Sequence, residues 1–280
     1  LASGPYHSCA ILDDGSLKCW GSGTSGKLGL GDVAARGDAV AETGDGLPVV
    51  NLGVSRKARK ISLGDSYSCA ILDNFTVKCW GANTNGMLGL GDVAARGDSI
   101  NEMGNCLPIV RIGTNRVAYD ISAGWGTFVR TDIGWKAFGV NSDGQLLIGD
   151  AGHRGDSAGE MGDNLPFVNF GTGRTASQVF MGMSGHACAI LDDETTKCFG
   201  YGSDYELFNA STDSIGDQTS EVGDNLPRTN FGPSRKALHF GMGQFHTCAL
   251  LDDGILRCAG NNWNGESGVA ANNQITDTSA

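Results

Sequence analysis

Cys9-Ala10-Ile11-Leu12-Asp13-Asp14-Gly15-Ser16-Leu17 returns as Cys69-Ala70-Ile71-Leu72-Asp73-Asn74-Phe75-Thr76-Val77, and again from Cys188 and from Cys248. A block that recurs at a fixed spacing of tens of residues marks one supersecondary unit copied along the chain, and this decides the architecture before any local reading does. Aligned on the block, the 280 residues divide into copies at 4–63, 64–123, 124–181, 182–242 and a shortened fifth at 243–280, read together as one repeat domain. Most of the sequence is therefore framework.

Each full copy keeps one order: a Cys-bearing strand, a turn, a return strand, a Gly-Leu-Gly segment, an Asp/Gly loop, then Leu-Pro and a short apolar strand. No copy holds a long apolar stripe of period 3.6, so the units are β. Asp13-Asp14-Gly15 has Gly at the loop position that favours a left-handed residue in a three-residue hairpin. A second pair of strands is expected over 47–52 and 58–63, turning at Gly53. Four short strands per unit predict an all-β propeller built from blades of this size.

The cysteines sharpen the picture. Cys9/Cys19, Cys69/Cys79, Cys188/Cys198 and Cys248/Cys258 each stand ten residues apart across the hairpin turn, where facing strand positions come close enough for a disulfide. The third copy has neither cysteine: Gly124-Trp125-Gly126-Thr127-Phe128-Val129-Arg130 and Trp135-Lys136-Ala137-Phe138-Gly139 replace both partners together. Bonded pairs predict joint loss. A zinc site fed by His7, His186 and His246 does not, and it also lacks paired metal-ligand spacing. Four disulfides in turn predict an oxidising, extracytoplasmic compartment: secreted, cell-surface or luminal.

The run His7-Ser8-Cys9-Ala10-Ile11-Leu12-Asp13-Asp14-Gly15, followed by Trp20-Gly21 and Gly26-Lys27-Leu28-Gly29-Leu30-Gly31, resembles the repeat of the regulator of chromosome condensation family, and 246–260 repeats its first part. The resemblance implies a β-propeller, which in that family usually has seven blades. Here the blades are longer, and five are readable. The family's founding activity, nucleotide exchange on a nuclear GTPase with chromatin docking, is not carried over, because cysteine pairs and acidity point to a different setting. The fold alone does not choose among the binding roles that other members play.

A net charge of −11 removes the basic footprint that nucleic acid requires. No apolar run approaches the ~18 residues of a membrane-spanning helix. Nor is a targeting peptide visible in the sequence, which begins at Leu1 as a processed or truncated chain would.

Several local features invite sharper readings. Arg36-Gly37-Asp38, Arg96-Gly97-Asp98 and Arg154-Gly155-Asp156 resemble the tripeptide read by adhesion receptors, but their recurrence with the copy places them in the framework. The acids that follow, Asp38 with Glu42, Asp98 with Glu102, Asp156 with Glu160 and Asp217 with Glu221, are read either as a Ca²⁺ site or as turn caps that also pair with the neighbouring arginines. Gly21-Ser22-Gly23-Thr24-Ser25-Gly26-Lys27 imitates a phosphate loop, yet Leu28 stands where Ser or Thr is needed. Cys106 has no partner; burial is its default state, with a bond to another chain as the alternative.

No catalytic set and no cofactor site assemble from these residues, so an enzyme is not expected. The leading function is a non-enzymatic protein-binding or structural module, a subunit of a larger assembly. A lectin-like carbohydrate binder and a secreted inhibitor or regulator are the alternatives. Partner contacts are expected where copies depart from the framework, at Trp125, Trp135, Tyr201, Tyr205 and Phe208, with Cys106 as a further candidate. Asn74 and Asn209, in Asn-Phe-Thr and Asn-Ala-Ser, are expected to be exposed N-glycosylation acceptors.

Overall fold

The computed structural model describes residues 1–268, so the part of the fifth copy beyond them lies outside the description. Five three-stranded antiparallel sheets follow one another along the chain. The first holds β1 (Ala2–Ser3), β2 (His7–Ile11) and β3 (Leu17–Gly21), and the second β4 (Ala58–Leu63), β5 (Tyr67–Leu72) and β6 (Val77–Gly81). The third is β7 (Ala118–Ala123), β8 (Gly126–Thr131) and β9 (Trp135–Gly139), and the fourth β10 (Ala176–Met181), β11 (His186–Leu191) and β12 (Thr196–Gly200). β13 (Ala237–Met242), β14 (His246–Leu251) and β15 (Leu256–Gly260) complete the set. The described residues fall into two compact units: 1–123, 127–139 and 153–166 form the first, and 124–126, 140–152 and 167–268 form the second.

The strand partners differ from expectation. Residues 58–63 pair with the following Cys strand, as in Ile61 opposite Ala70, and not with 47–52. The 47–52 segment lies instead along β3, where it makes a single bridge, Lys18 to Val49, and one bond from Val50 N–H to Leu17 C=O at 2.8 Å. Proline explains the short contact: Pro48 has no N–H to give a ladder. Val110 N–H to Val77 C=O and Thr229 N–H to Thr196 C=O, both 2.8 Å, repeat the arrangement. Each sheet is thus three strands, and in these copies a fourth segment is held by a single strand-to-strand contact.

The hairpins follow the sequence closely. Cys9 faces Cys19, Cys69 faces Cys79, Cys188 faces Cys198 and Cys248 faces Cys258, and all four pairs are disulfide-bonded. Four such bonds are the mark of an oxidising environment. In the third copy the equivalent positions hold Phe128 and Ala137, both fully buried, so a large and a small side chain fill the space of the bridge.

Candidate interaction surface

Neighbouring copies are joined by a recurring set of polar contacts. The lysine of the return strand is buried in the second, third and fourth copies. Lys78 Nζ donates to Leu52 C=O (3.0 Å) and Gly104 C=O (2.6 Å), and Lys197 Nζ to Phe170 C=O (3.0 Å) and Gly223 C=O (2.7 Å). Burial holds the Lys78, Lys136 and Lys197 ammoniums below the usual lysine range. Beside each clamp, the residue before or at the loop's end reaches the preceding copy's turn: Asn105 Oδ1 accepts from Val54 N–H at 3.0 Å, Asp163 Oδ1 from Thr114 N–H at 2.8 Å, and Asp224 Oδ1 from Thr172 N–H at 2.9 Å. Sequence reasoning passed over these lysines, although their recurrence before a Cys or its substitute was a usable signal.

The Arg-Gly-Asp loops belong to the same framework. Gly31 N–H donates to Gly97 C=O and Gly91 N–H to Gly155 C=O, while Arg36 and Arg96 are tied to Asp32 and Asp92 at 2.6 and 2.7 Å. A Cβ on Gly26, Gly86 or Gly144 would sit 2.2–2.4 Å from the backbone of the next copy's loop, which is why glycine stands there. The glutamates cap these loops: Glu42, Glu102, Glu160 and Glu221 accept from the N–H of Gly37, Gly97, Gly155 and Gly216. Turn capping is therefore what the glutamates of the acid pairs do, while Arg36 and Arg96 pair with Asp32 and Asp92. Among the described residues no group of three or more His, Cys, Asp or Glu is placed to hold a metal. His7 Nε2 is bonded to Ser68 Oγ at 2.8 Å, another contact between copies.

The expected contact residues separate. Trp135 is 1% exposed within β9, a core residue and not a surface one. Trp125 is 40% exposed. Tyr201, Tyr205 and Phe208 are half-buried: Tyr201 packs tilted at 6.4 Å against Phe245, and Phe208 packs edge-on at 5.2 Å against Phe231. Cys106 is exposed, against the default of burial, and lines a groove with Pro48, Val49 and Ile100. Its place just before Leu107-Pro108 is a surface position, as Gly46 is in the first copy. Asn74 is exposed and Asn209 half-exposed; each side chain accepts the N–H two residues on.

The fourth copy carries a strained stretch. Tyr205 stands in the slot of Gly26, Gly86 and Gly144, at φ +67°, and Phe208 and Ala210 stand in those of Gly29 and Gly31, at φ +55° and +56°. A left-handed conformation costs a non-glycine residue roughly 1–2 kcal/mol. Between Tyr205 and Phe208 lies Glu206, fully buried, its Oε2 accepting Asp204 N–H and its Oε1 without a hydrogen-bond partner among the described residues. Burial pushes its carboxyl up to about 7. In the fifth copy a cleft of about 470 Å³ is lined by Gln244, Phe245, His246, Asn261, Trp263, Asn264 and Glu266. Trp263, 69% exposed, replaces the Thr or Ser found at 24, 84, 142 and 203, while Phe245 stands where Tyr6 and Trp125 stand in the first and third copies. The single-copy gain of Trp263 was the signal that would have located the cleft.

The geometry agrees with known proteins. A repeat described as the regulator of chromosome condensation (RCC1) repeat matches residues 1–27, 58–86 and 239–266. The solved structure of human WBSCR16 superposes with a TM-score of 0.66 at 18% identity, over 98% of this chain and 64% of that one. Prp20p of Saccharomyces cerevisiae, described with its binding properties to Gsp1p and histones, gives 0.64 at 16% identity, over 93% and 56%. The human probable E3 ubiquitin-protein ligase HERC6 is 27% identical over 153 residues, which is 53% of this chain and 13% of that protein. The chain thus spans about an eighth of that relative's length. It has an all-β fold built from repeated small antiparallel sheets that resemble RCC1-type repeats.

Proposed function

We propose that this chain is a non-catalytic protein-binding module, its five copies forming propeller blades, within a larger extracytoplasmic assembly. The observation that carries the reading is the placement of Tyr205, Phe208 and Ala210 in glycine slots, next to the aromatic cleft of the fifth copy in sequence order. Backbone strain persists where the surroundings enforce it, and it gathers at functional sites. Aromatic anchors within a polar rim are what protein interfaces bury. Tyr201, Phe245 and Trp263, rimmed by Gln244, Asn261 and Asn264, meet that description; Trp125 is a further exposed aromatic of the same unit. Prp20p, with its described binding properties to Gsp1p and histones, supports the use of such a fold as a binding platform.

Photo-cross-linking in the native host, with a benzophenone amino acid at 201, 245 or 263, tests the reading. Covalent adducts to a discrete partner at these positions, and none at Val33, are expected; equal labelling at all four contradicts it. A second reading follows from the exposed Trp263 beside three amide side chains, a set that also suits a sugar ring. A glycan screen of native protein against Trp263→Ala separates the two: Trp263-dependent glycan binding favours the lectin-like alternative.

A further inference from the structure

The hairpin tip of the second copy departs from the framework at Asn74, Phe75 and Tyr119. Asn74 and Phe75 stand where Asp14-Gly15, Asp193-Glu194 and Asp253-Gly254 stand in other copies, and Tyr119 stands where Arg59, Ser177 and Leu238 do. The tip and the next copy's strand are joined by Ala118 N–H, which donates to Phe75 C=O at 3.0 Å. Phe75 holds φ +63°, a left-handed conformation that a bulky residue adopts only at a cost. Its ring meets that of Tyr119 at 5.7 Å and lies under the Arg59 guanidinium at 4.6 Å. Core packing does not account for the trio: Arg59 is exposed, Phe75 is half-exposed, and Tyr119 is 55% exposed. The result is an aromatic surface facing solvent beside the tip.

Asn74 is exposed, and its Oδ1 accepts both the Thr76 hydroxyl at 2.8 Å and the Thr76 N–H at 3.3 Å. Its Nδ2 makes no hydrogen bond among the described residues, so the amide nitrogen is open to solvent. Asn-X-Ser/Thr at an exposed turn is the acceptor of N-linked oligosaccharide. The triplet at 209–211 is placed differently. Asn209 is half-buried, next to Phe208 where that ring packs on Phe231, and the Ser211 hydroxyl is engaged elsewhere, donating to Asp213 Oδ2 at 2.7 Å.

We propose that Asn74 carries an N-linked glycan whose first sugar lies against Phe75 and Tyr119, and that Asn209 is left unmodified. The donor is a lipid diphosphate-linked oligosaccharide. Asn74 Nδ2 forms a bond to the anomeric carbon of its first sugar and loses one proton, while the bond from that carbon to the diphosphate oxygen breaks and the lipid diphosphate leaves with the electron pair. A glycan is the occupant of this surface because it is tethered one residue from Phe75. The negative face of an aromatic ring also attracts the electropositive C–H bonds that a sugar ring presents. The proposal rests on the extracytoplasmic setting proposed above.

The test is peptide mapping of the chain purified from its native host, with and without peptide N-glycosidase treatment in heavy-oxygen water. Heavy-oxygen Asp at 74 after treatment, with unlabelled Asn at 209, is expected. Asn74 without label, or equal labelling at both positions, overturns the proposal. If the four disulfides are intact in the same map, the glycan alone falls and the oxidising setting stands; free thiols at those cysteines remove the setting as well. The contact with the aromatics has its own readout. Enzymatic removal of the glycan is expected to lower the melting temperature by about 2 °C, and trimming it to the first sugar to leave the value unchanged. Tyr119→Ser, which copies Ser177 and keeps the triplet, is expected to abolish the difference between glycosylated and stripped chains. An equal fall in the native chain and in Tyr119→Ser overturns the placement of the sugar on the aromatic pair.

Discussion

Lys197 and Lys18 occupy the same repeat position and differ in what surrounds them. Lys197 is buried and clamps two carbonyls, whereas Lys18 is half-exposed with one. Hydrogen bonds to a charged group contribute ~1.5–3 kcal/mol, and their loss leaves carbonyls unpaired. Lys197→Met is therefore expected to cost about 2–3 kcal/mol in denaturant unfolding, and Lys18→Met under about 1; equal costs would refute the clamp. Glu206 offers a second contrast, since Gln145 fills its position in the third copy and accepts Asp143 N–H at 2.8 Å just as Glu206 accepts Asp204 N–H. With its folded pKa raised to about 7 from 4.5, the folded state binds the extra proton between those values. Its stabilising contribution is complete below pH 4.5 and is lost as pH rises through 7. Glu206→Gln is expected to leave stability near pH 4.5 unchanged and to raise the melting temperature at pH 8. His7 and His186 act oppositely: burial lowers both to about 4 from 6.5, so they stay neutral when folded, and stability is lost as pH falls from 6.5 towards 4. Strain at Tyr205 gives a further outcome. Tyr205→Gly is expected to gain about 1 kcal/mol by relieving the left-handed φ and to lose partner cross-linking at 201 and 245; a gain in both would separate the strain from function.

At the scale of the element, the hairpin and its disulfide are the unit that the sequence displays most openly. A sequence separation of ten between paired cysteines, an Asx residue and a turn fix the register, and joint loss in the third copy identifies the bond. A bridge over so short a loop contributes ~2–3 kcal/mol. Cys69→Ala with Cys79→Ala is expected to lose about that much, while Cys69→Phe with Cys79→Ala, which copies Phe128 and Ala137, is expected to recover part of it. Peptide mapping that found pairing between copies would contradict the assignment. The Leu-Pro segment was less legible. Alternating apolar residues from 47 to 52 look like a strand, but Pro48 leaves only one bond to Leu17, and the 58–63 strand turns to the next copy's Cys strand. Periodicity reports which residues face the core; it does not report which neighbour a strand chooses.

On the scale of the whole molecule, the repeat was readable because framework positions are printed several times, so that chance is averaged out. The candidate surface was readable only as departure from that print. Tyr201, Tyr205 and Phe208 stood out in this way and lie half-exposed, whereas Trp135 stood out equally and is core, because a departure can fill a lost disulfide's neighbourhood as well as meet a partner. Lys78, Lys136 and Lys197 were hidden for the opposite reason: they never depart. The acidic loops compete with the aromatic cleft as contact surface, since Asp38 is exposed and Asp98 and Asp156 are partly exposed. Charge reversal at all three is expected to leave cross-linking at 245 and 263 intact. The most direct test of a partner-binding module centred on the fifth-copy cleft is that cross-linking yield, compared between the native chain, Trp263→Ala with Phe245→Ala, and the three-Asp reversal. Loss of discrete adducts at 201 in the aromatic double variant alone is the predicted result; adducts that survive there and vanish with the reversed aspartates would contradict it.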